Sequence, residues 1–290
     1  MKGIYFEEGQ NFNIKNDDEV SVISYESSNK IKIKNCSKHN DNLLRYKKLS
    51  SDEYVDTDTG EILEYQKREF KTKDSISRSM KKLRELLLNN FNGGKNELFI
   101  TLTYEDKQAD FDKAVYDLGD FWKKIKKEFQ DLEYIAIIEN QESRDSWHIH
   151  MWVKDTVHKK LYIPKDEIER IWNNGFVDVA RITDTGIKNI IGGYKFQENS
   201  NGVLKTGATN KVIDYMCKTK SKDNIPSNKK CYYKSRGIKL PTIQKMSYKE
   251  AQNVLDKNNC YLVMEKTLLI RSVNTDNILN KIKEELYDSE

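Results

Sequence analysis

"EYIAIIENQESRDSWHIHMWV", residues 133–153, sets two short runs of β-branched, aromatic and apolar residues on either side of the polar stretch NQESRDS. That pattern predicts a β-hairpin with strands at 133–139 and 147–153. Side chains alternate faces along a strand, so His148 and His150 share one face with Trp152, while Trp147, Ile149 and Met151 take the other. Their Cα atoms are about 7 Å apart, a spacing from which two imidazoles can reach one ion. Glu139 ends the first strand, and hairpin pairing brings its carboxylate beside them. Two histidines and a carboxylate with open positions suit a catalytic divalent cation better than a structural zinc. The task of such an ion would be to polarise a phosphoryl oxygen.

Outward from the hairpin the pattern alternates between helix and strand. "DSISRSMKKLRELLLNN" (74–90) begins with N-capping chemistry, carries Ile76, Met80, Leu83 and Leu87 at helical spacing, and stops near NGG. "ELFITLTY" (97–104) reads as a strand. In 111–129, Phe111, Val115, Leu118, Trp122, Ile125 and Phe129 share one helical face, opposite a cluster of lysines. "KDEIERIWNN" predicts a further helix ended by Gly175, and "FVDVARI" (176–182) a further strand. The order β-α-β-β-α-β predicts an α+β fold, a ferredoxin-like (RRM-like) antiparallel sheet with helices on one face and the opposite face free for a ligand.

The expected domains are an N-terminal extension (1–70), a central domain (71–245) and a C-terminal extension (246–290). In the first, VSVISY and IKIKN read as short strands and DTDTGE as a turn. In the last, SYKEAQNVLD reads as a helix, CYLVMEKTLLIRSV as a hairpin and NILNKIKEELYDSE as a frayed helix. The segment around Gly192 and Gly193 reads as irregular. The chain has 290 residues, 33% of them charged and 37% apolar, and no apolar run approaches membrane-spanning length. The start lacks the apolar core of a signal peptide, so a soluble, cytoplasmic protein is expected. The 4 cysteines are dispersed without a CxxC pair, as ordinary reduced thiols are.

The net charge is only +4, but residues 205–239 are strongly basic with tyrosines interleaved. Such a segment fits a groove for a phosphate backbone, with Lys220, Lys222, Lys229, Lys230, Lys234 and Arg236 as candidate contacts. Within a predicted helix near 209–219, "VIDYMCKTKSK" sets Lys218 three residues after Tyr215, on the same face. Only about one free phenol in a thousand is ionised at neutral pH, so a nucleophilic Tyr215 needs nearby positive charge. Thr101 and Thr103 lie on one face of their strand, as structural residues or as part of a site.

"LFITLTY", "IIENQESRDSWHIHMWV" and "VIDYMCK" resemble, in order and character, the three motifs of the HUH endonucleases, specifically the rolling-circle replication initiator (Rep) proteins of bacterial plasmids and single-stranded DNA phages. The resemblance covers about 75–240. It implies the HUH endonuclease fold, with Mg²⁺ or Mn²⁺ held by His148, His150 and Glu139. It also implies Tyr215 as the nucleophile, with Lys218 as the motif lysine, attacking single-stranded or hairpin origin DNA to leave a 5′-phosphotyrosine and a free 3′-OH. Thr101 and Thr103 would help build the site and touch DNA. Residues 218–222 read KTKSK, so this resembles the single-tyrosine type, with Tyr232 and Tyr233 in reserve. No G-x-x-x-x-G-K-[ST] motif occurs, so a host helicase and DNA polymerase are the expected partners. The alternatives are a relaxase or transposase of the same superfamily, or a non-catalytic ferredoxin-like nucleic-acid-binding module.

Overall fold

The computed structural model describes residues 4–36, 46–50, 52–65, 68–141, 144–183, 208–220, 225–272 and 275–289. Along the chain these form β1 (Ile4–Glu8), β2 (Glu19–Tyr25), β3 (Lys30–Cys36), β4 (Tyr46–Lys48), β5 (Glu53–Asp56), β6 (Ile62–Glu64), α1 (Lys73–Asn90) and β7 (Glu97–Tyr104). There follow α2 (Phe111–Glu128), β8 (Leu132–Gln141), β9 (Ser146–Asp155), α3 (Lys165–Trp172), β10 (Gly175–Ala180) and α4 (Ala208–Lys220). The last elements are β11 (Tyr233–Lys234), β12 (Thr242–Ser247), α5 (Tyr248–Lys257), β13 (Cys260–Ser272) and β14 (Ile278–Ser289). The fold is α+β, and no helix is long and apolar enough to cross a membrane. Two units result: residues 69–240, and a second made of 1–68 with 241–290.

In the 69–240 unit the β8–β9 hairpin lies at the centre of an antiparallel sheet of order β10-β7-β9-β8-β11. Alternation sorts each strand. Leu98, Ile100 and Leu102 of β7, Tyr134, Ala136 and Ile138 of β8, and Ile149, Met151 and Val153 of β9 form one core. Phe111, Leu118, Phe121 and Ile125 of α2 and Ile168, Ile171 and Trp172 of α3 complete it. Lys and Asp residues occupy most of the remaining positions of α2, so the helix buries one face only.

The opposite face departs from expectation, because it is not bare. Phe91, which caps α1, stacks 4.9 Å from the fully buried Trp152 ring. On α4, Val212, Ile213 and Met216 are buried, and the helix is tied to α1 by an Arg84–Asp214 ion pair at 2.5 Å and by the Cys217 thiol donating to the Met80 carbonyl. A sheet whose second face carries Phe99, Ile135, Ile137 and Trp152 needs cover on both sides. Helices therefore flank both faces, which corrects the one-faced arrangement. Trp152 is a packing residue; its Nε1–H donates to Glu97 Oε2 at 2.9 Å.

Element boundaries also differ from expectation. The N-cap of α1 is Thr72, whose hydroxyl accepts from Ser75 N. Asn173, not Gly175, takes the left-handed position that ends α3, with φ 46°. Gly175 instead opens β10, where β10 closes against the backbone of β7.

In the other unit the two ends of the chain join one antiparallel sheet of order β1-β13-β14-β3-β2-β12, and β4-β5-β6 form a separate small sheet. The strands at VSVISY and IKIKN, and helix α5 with its Ser247–Glu250 capping box, match expectation. The two terminal extensions, expected as separate, belong to one unit. Two corrections concern its C-terminal part. Residues 260–272 are a single strand, not a hairpin, and pair with 278–289, which is a strand and not a helix. Ile278, Ile282 and Leu286 fall every fourth residue, a spacing that fits a helical face and equally every second step of a strand. The Lys and Glu between them favour helix locally, and the long ladder with β13 overrides that preference. Within the sheet, buried Lys283 lies 3.2 Å from Glu265 and 3.1 Å from Glu285, and Glu285 also accepts from the Tyr248 and Tyr287 hydroxyls.

A Cβ at Gly175 would stand 2.3 Å from Glu105 N and 2.5 Å from Thr103 O, at a φ of +146°. Gly175→Ala is therefore expected to destabilise the chain by about 2–4 kcal/mol, read as a lower urea midpoint. An unchanged midpoint would show that β10 does not close on β7 in this way.

Candidate metal centre

Register brings the site together. Across the sheet one row reads Phe176, Thr103, His148, Glu139, and the next reads Asp178, Thr101, His150, Ile137. All alternate away from the α2–α3 core, so both imidazoles and the Glu139 carboxylate face the α1–α4 side. The hairpin turn carries Asp145 at φ 46°, and its carboxylate is paired with Lys107 at 2.6 Å.

His148 Nε2 and His150 Nε2 are 2.8 Å apart, and Glu139 Oε2 lies 3.1 Å from the second and 3.6 Å from the first. On its far side His150 presents Nδ1 to the Thr101 hydroxyl at 3.1 Å. If Nδ1–H donates there, the Nε2 lone pair is turned toward Glu139 and His148. The Tyr215 hydroxyl reaches the same Nε2 at 3.1 Å, with the two rings at 74°. Phe99 lies under His150, ring centroids 5.7 Å apart.

Electrostatics point to a missing positive charge. His150 is 3% exposed, and burial holds its pKa below the ordinary imidazole range, favouring the neutral ring. Burial opposes ionisation of Glu139 too, but the hydrogen-bonding and charge of His148 and His150 outweigh it and bring its pKa down to about 2. Although Oε2 is close to His150, it is buried without a hydrogen bond of acceptable geometry. An ionised carboxylate beside a neutral buried ring leaves a negative charge without a full counter-charge, which is costly.

A cation meets that demand. Ligands bonded at about 2.1 Å stand about 3.0 Å apart at right angles and about 3.4 Å apart at tetrahedral angles. The three observed separations span that range. Glu139, His148 and His150 can thus hold a metal ion, and among the described residues they are the one group of three or more such side chains able to do so.

The other expected site residues divide. Tyr215 and Thr101 join the centre, while Thr103 is beside His148 in register and its backbone carbonyl accepts from Trp172 Nε1. Lys229 is paired with Asp112 on α2, and Lys234 Nζ donates to the Ile238 carbonyl at 2.8 Å. Lys230 and Arg236 lie on the surface of the same unit. Lys218 and Lys220 belong to α4, but their side chains lie outside the described residues, as do Lys222 and the 192–193 glycines. Tyr233 packs against the core on the opposite face, which removes it as a reserve nucleophile; Tyr232 makes no contact with the three ligands among the described residues. Sequence reasoning missed that Thr101 touches His150. The alternation of FITLTY shows a hydroxylated face, but only strand pairing reveals which histidine it meets.

A family model described as a replication-associated protein of the ORF2 type matches residues 97–196. The matched span runs from β7 through β10, contains all three ligands and Thr101, and ends before Tyr215. It is consistent with a replication initiator. No curated protein matches the chain.

Titration of the metal-free protein with Mn²⁺ is expected to reveal one site, abolished by His150→Ala. Thr101→Val should weaken that binding roughly 10- to 100-fold by freeing the ring from its outer partner. Full affinity in Thr101→Val would show that the hydroxyl does not orient His150.

Proposed function

We propose that the chain is an HUH-type, single-tyrosine DNA nickase and strand transferase that initiates rolling-circle replication. The observation that carries this reading is the Tyr215 hydroxyl 3.1 Å from His150 Nε2, inside a His₂–Glu centre. The family match supports replication as the setting. The 4-1-3-2 order of β7 to β10 within a β-α-β-β-α-β unit supports a ferredoxin-like core.

Glu139, His148 and His150 would hold Mg²⁺ or Mn²⁺, and the ion when bound supplies positive charge to a non-bridging phosphate oxygen. Thr101 keeps the His150 ring turned with its Nε2 toward the centre. Helix α4 carries the phenol to the centre, anchored to α1 through Asp214 and Cys217, the residues on either side of Tyr215 and Met216. The phenolate oxygen bonds to phosphorus as the P–O3′ bond breaks. The phenolic proton passes to solvent, and the departing O3′ takes up a proton to become the free 3′-OH. The 5′-phosphotyrosine conserves an ester bond for later religation. Lys218, three residues on along α4, is the residue whose charge favours phenolate. Lys230 and Arg236 are the basic residues placed to meet backbone phosphates, and the strand itself is single-stranded or hairpin origin DNA. Unwinding and synthesis fall to a host helicase and polymerase.

Incubation with origin-bearing single-stranded DNA and Mn²⁺ should yield a covalent protein–DNA adduct that survives denaturation. Tyr215→Phe should yield none, and chelation should suppress it in the wild type. Adduct formation by Tyr215→Phe would overturn the nucleophile assignment, and DNA binding with no adduct in any metal would favour the non-catalytic module.

A further inference from the structure

The imidazole face does not end at the metal centre. Two strands away, on the edge strand β10, Val177 and Val179 turn toward the α2–α3 core, so Phe176 and Asp178 project from the same face as His148 and His150. Phe176 stands in the row of Thr103, His148 and Glu139, and Asp178 in the row of Thr101 and His150. With strands about 4.8 Å apart, Phe176 is about 10 Å from His148.

The two ends of this face differ sharply. Phe99 and Trp152 are 1% and 0% exposed, covered at the α1 end, whereas Phe176 is 61% exposed. It makes no ring contact among the described residues. An aromatic ring left open on a sheet is a platform on which a base can stack. Its neighbour decides which part of a nucleic acid can lie there. Asp178 is exposed and has no ionic partner among the described residues, so its carboxylate repels a phosphate. A carboxylate does accept hydrogen bonds from the exocyclic amine of cytosine.

We propose that Phe176 and Asp178 form a nucleobase subsite for a base flanking the phosphate held at the metal centre, with Phe176 stacking on the ring and Asp178 selecting a base that bears an exocyclic amine. This rests on the nickase reading, since it needs a DNA strand to cross the imidazole face.

The test uses the full chain carrying Tyr215→Phe, so that binding is read without covalent trapping, and labelled oligo-dC and oligo-dT followed by fluorescence anisotropy. Phe176→Ala should weaken both oligonucleotides roughly 5- to 100-fold, because stacking is sequence-tolerant. Phe176→Tyr should restore binding. Asp178→Ala should remove a preference for oligo-dC over oligo-dT that the parent shows. Unchanged affinity in Phe176→Ala, or a parent without that preference, overturns the subsite. A Mn²⁺ titration of the same proteins separates the two failures. Mn²⁺ and DNA binding that are both indifferent to Phe176 sink the subsite alone, whereas a parent that binds neither sinks the nickase reading with it. Phe176 is exposed, so melting temperatures should match, and a large drop in Phe176→Ala would assign the ring a packing role instead.

Discussion

The register between β8 and β9 is the constraint on which the rest of the unit depends. Ile149, Met151 and Val153 are buried on one face of β9, and each such side chain contributes roughly 1.5–3 kcal/mol when fully buried. A slip of one residue would turn all three toward α1 and α4 and push both imidazoles into the α2–α3 core. Core packing, not attraction among the polar groups, therefore determines that His148 and His150 meet Glu139. The hydrophobic pattern pre-organises a cluster that would be unfavourable to assemble on its own terms.

Two buried carboxylates on this face show how differently such a group can be satisfied. Glu97 accepts from Asn92 N, Gly93 N and Trp152 Nε1, at 2.9 to 3.0 Å, with Lys154 as a further favourable charge. Burial still raises its pKa, but both of its oxygens have donors, and it serves as a structural tie between the end of α1 and the sheet. Glu139 has two ring nitrogens where Glu97 has N–H groups, and its Oε2 accepts no hydrogen bond. The first arrangement completes itself with protein donors. The second has lone pairs converging on one point, and a cation is what completes it.

Much of this was legible in the sequence because it depends on short-range periodicity. Period-2 alternation in residues 133–153 gives the ligand face, and the helical spacing of Tyr215 with Lys218 gives the relation of phenol to ammonium along α4. What could not be read depends on partners far apart in the chain. Thr101 meets His150 through pairing of residues 49 positions apart, and α4 covers the sheet through contacts with α1, where Cys217 meets a carbonyl 137 residues earlier. The C-terminal strand failed for a related reason. Its every-fourth apolar spacing satisfies both periods, and only the presence of β13 and β3 on either side decides between them.

Placing the nucleophile on a helix rather than on the sheet has a physical consequence. The ligands come from adjacent strands whose separation is fixed by backbone hydrogen bonds, so their geometry tolerates little adjustment. Tyr215 comes instead from α4, held by one ion pair at its rim and by the apolar contacts of Val212, Ile213 and Met216. A helix held that way can shift by a fraction of an ångström at far lower cost than a strand inside a ladder. The reaction needs that division. The phosphate must be held still at the ligand cluster, while the phenol has to approach phosphorus as one bond forms and the other breaks.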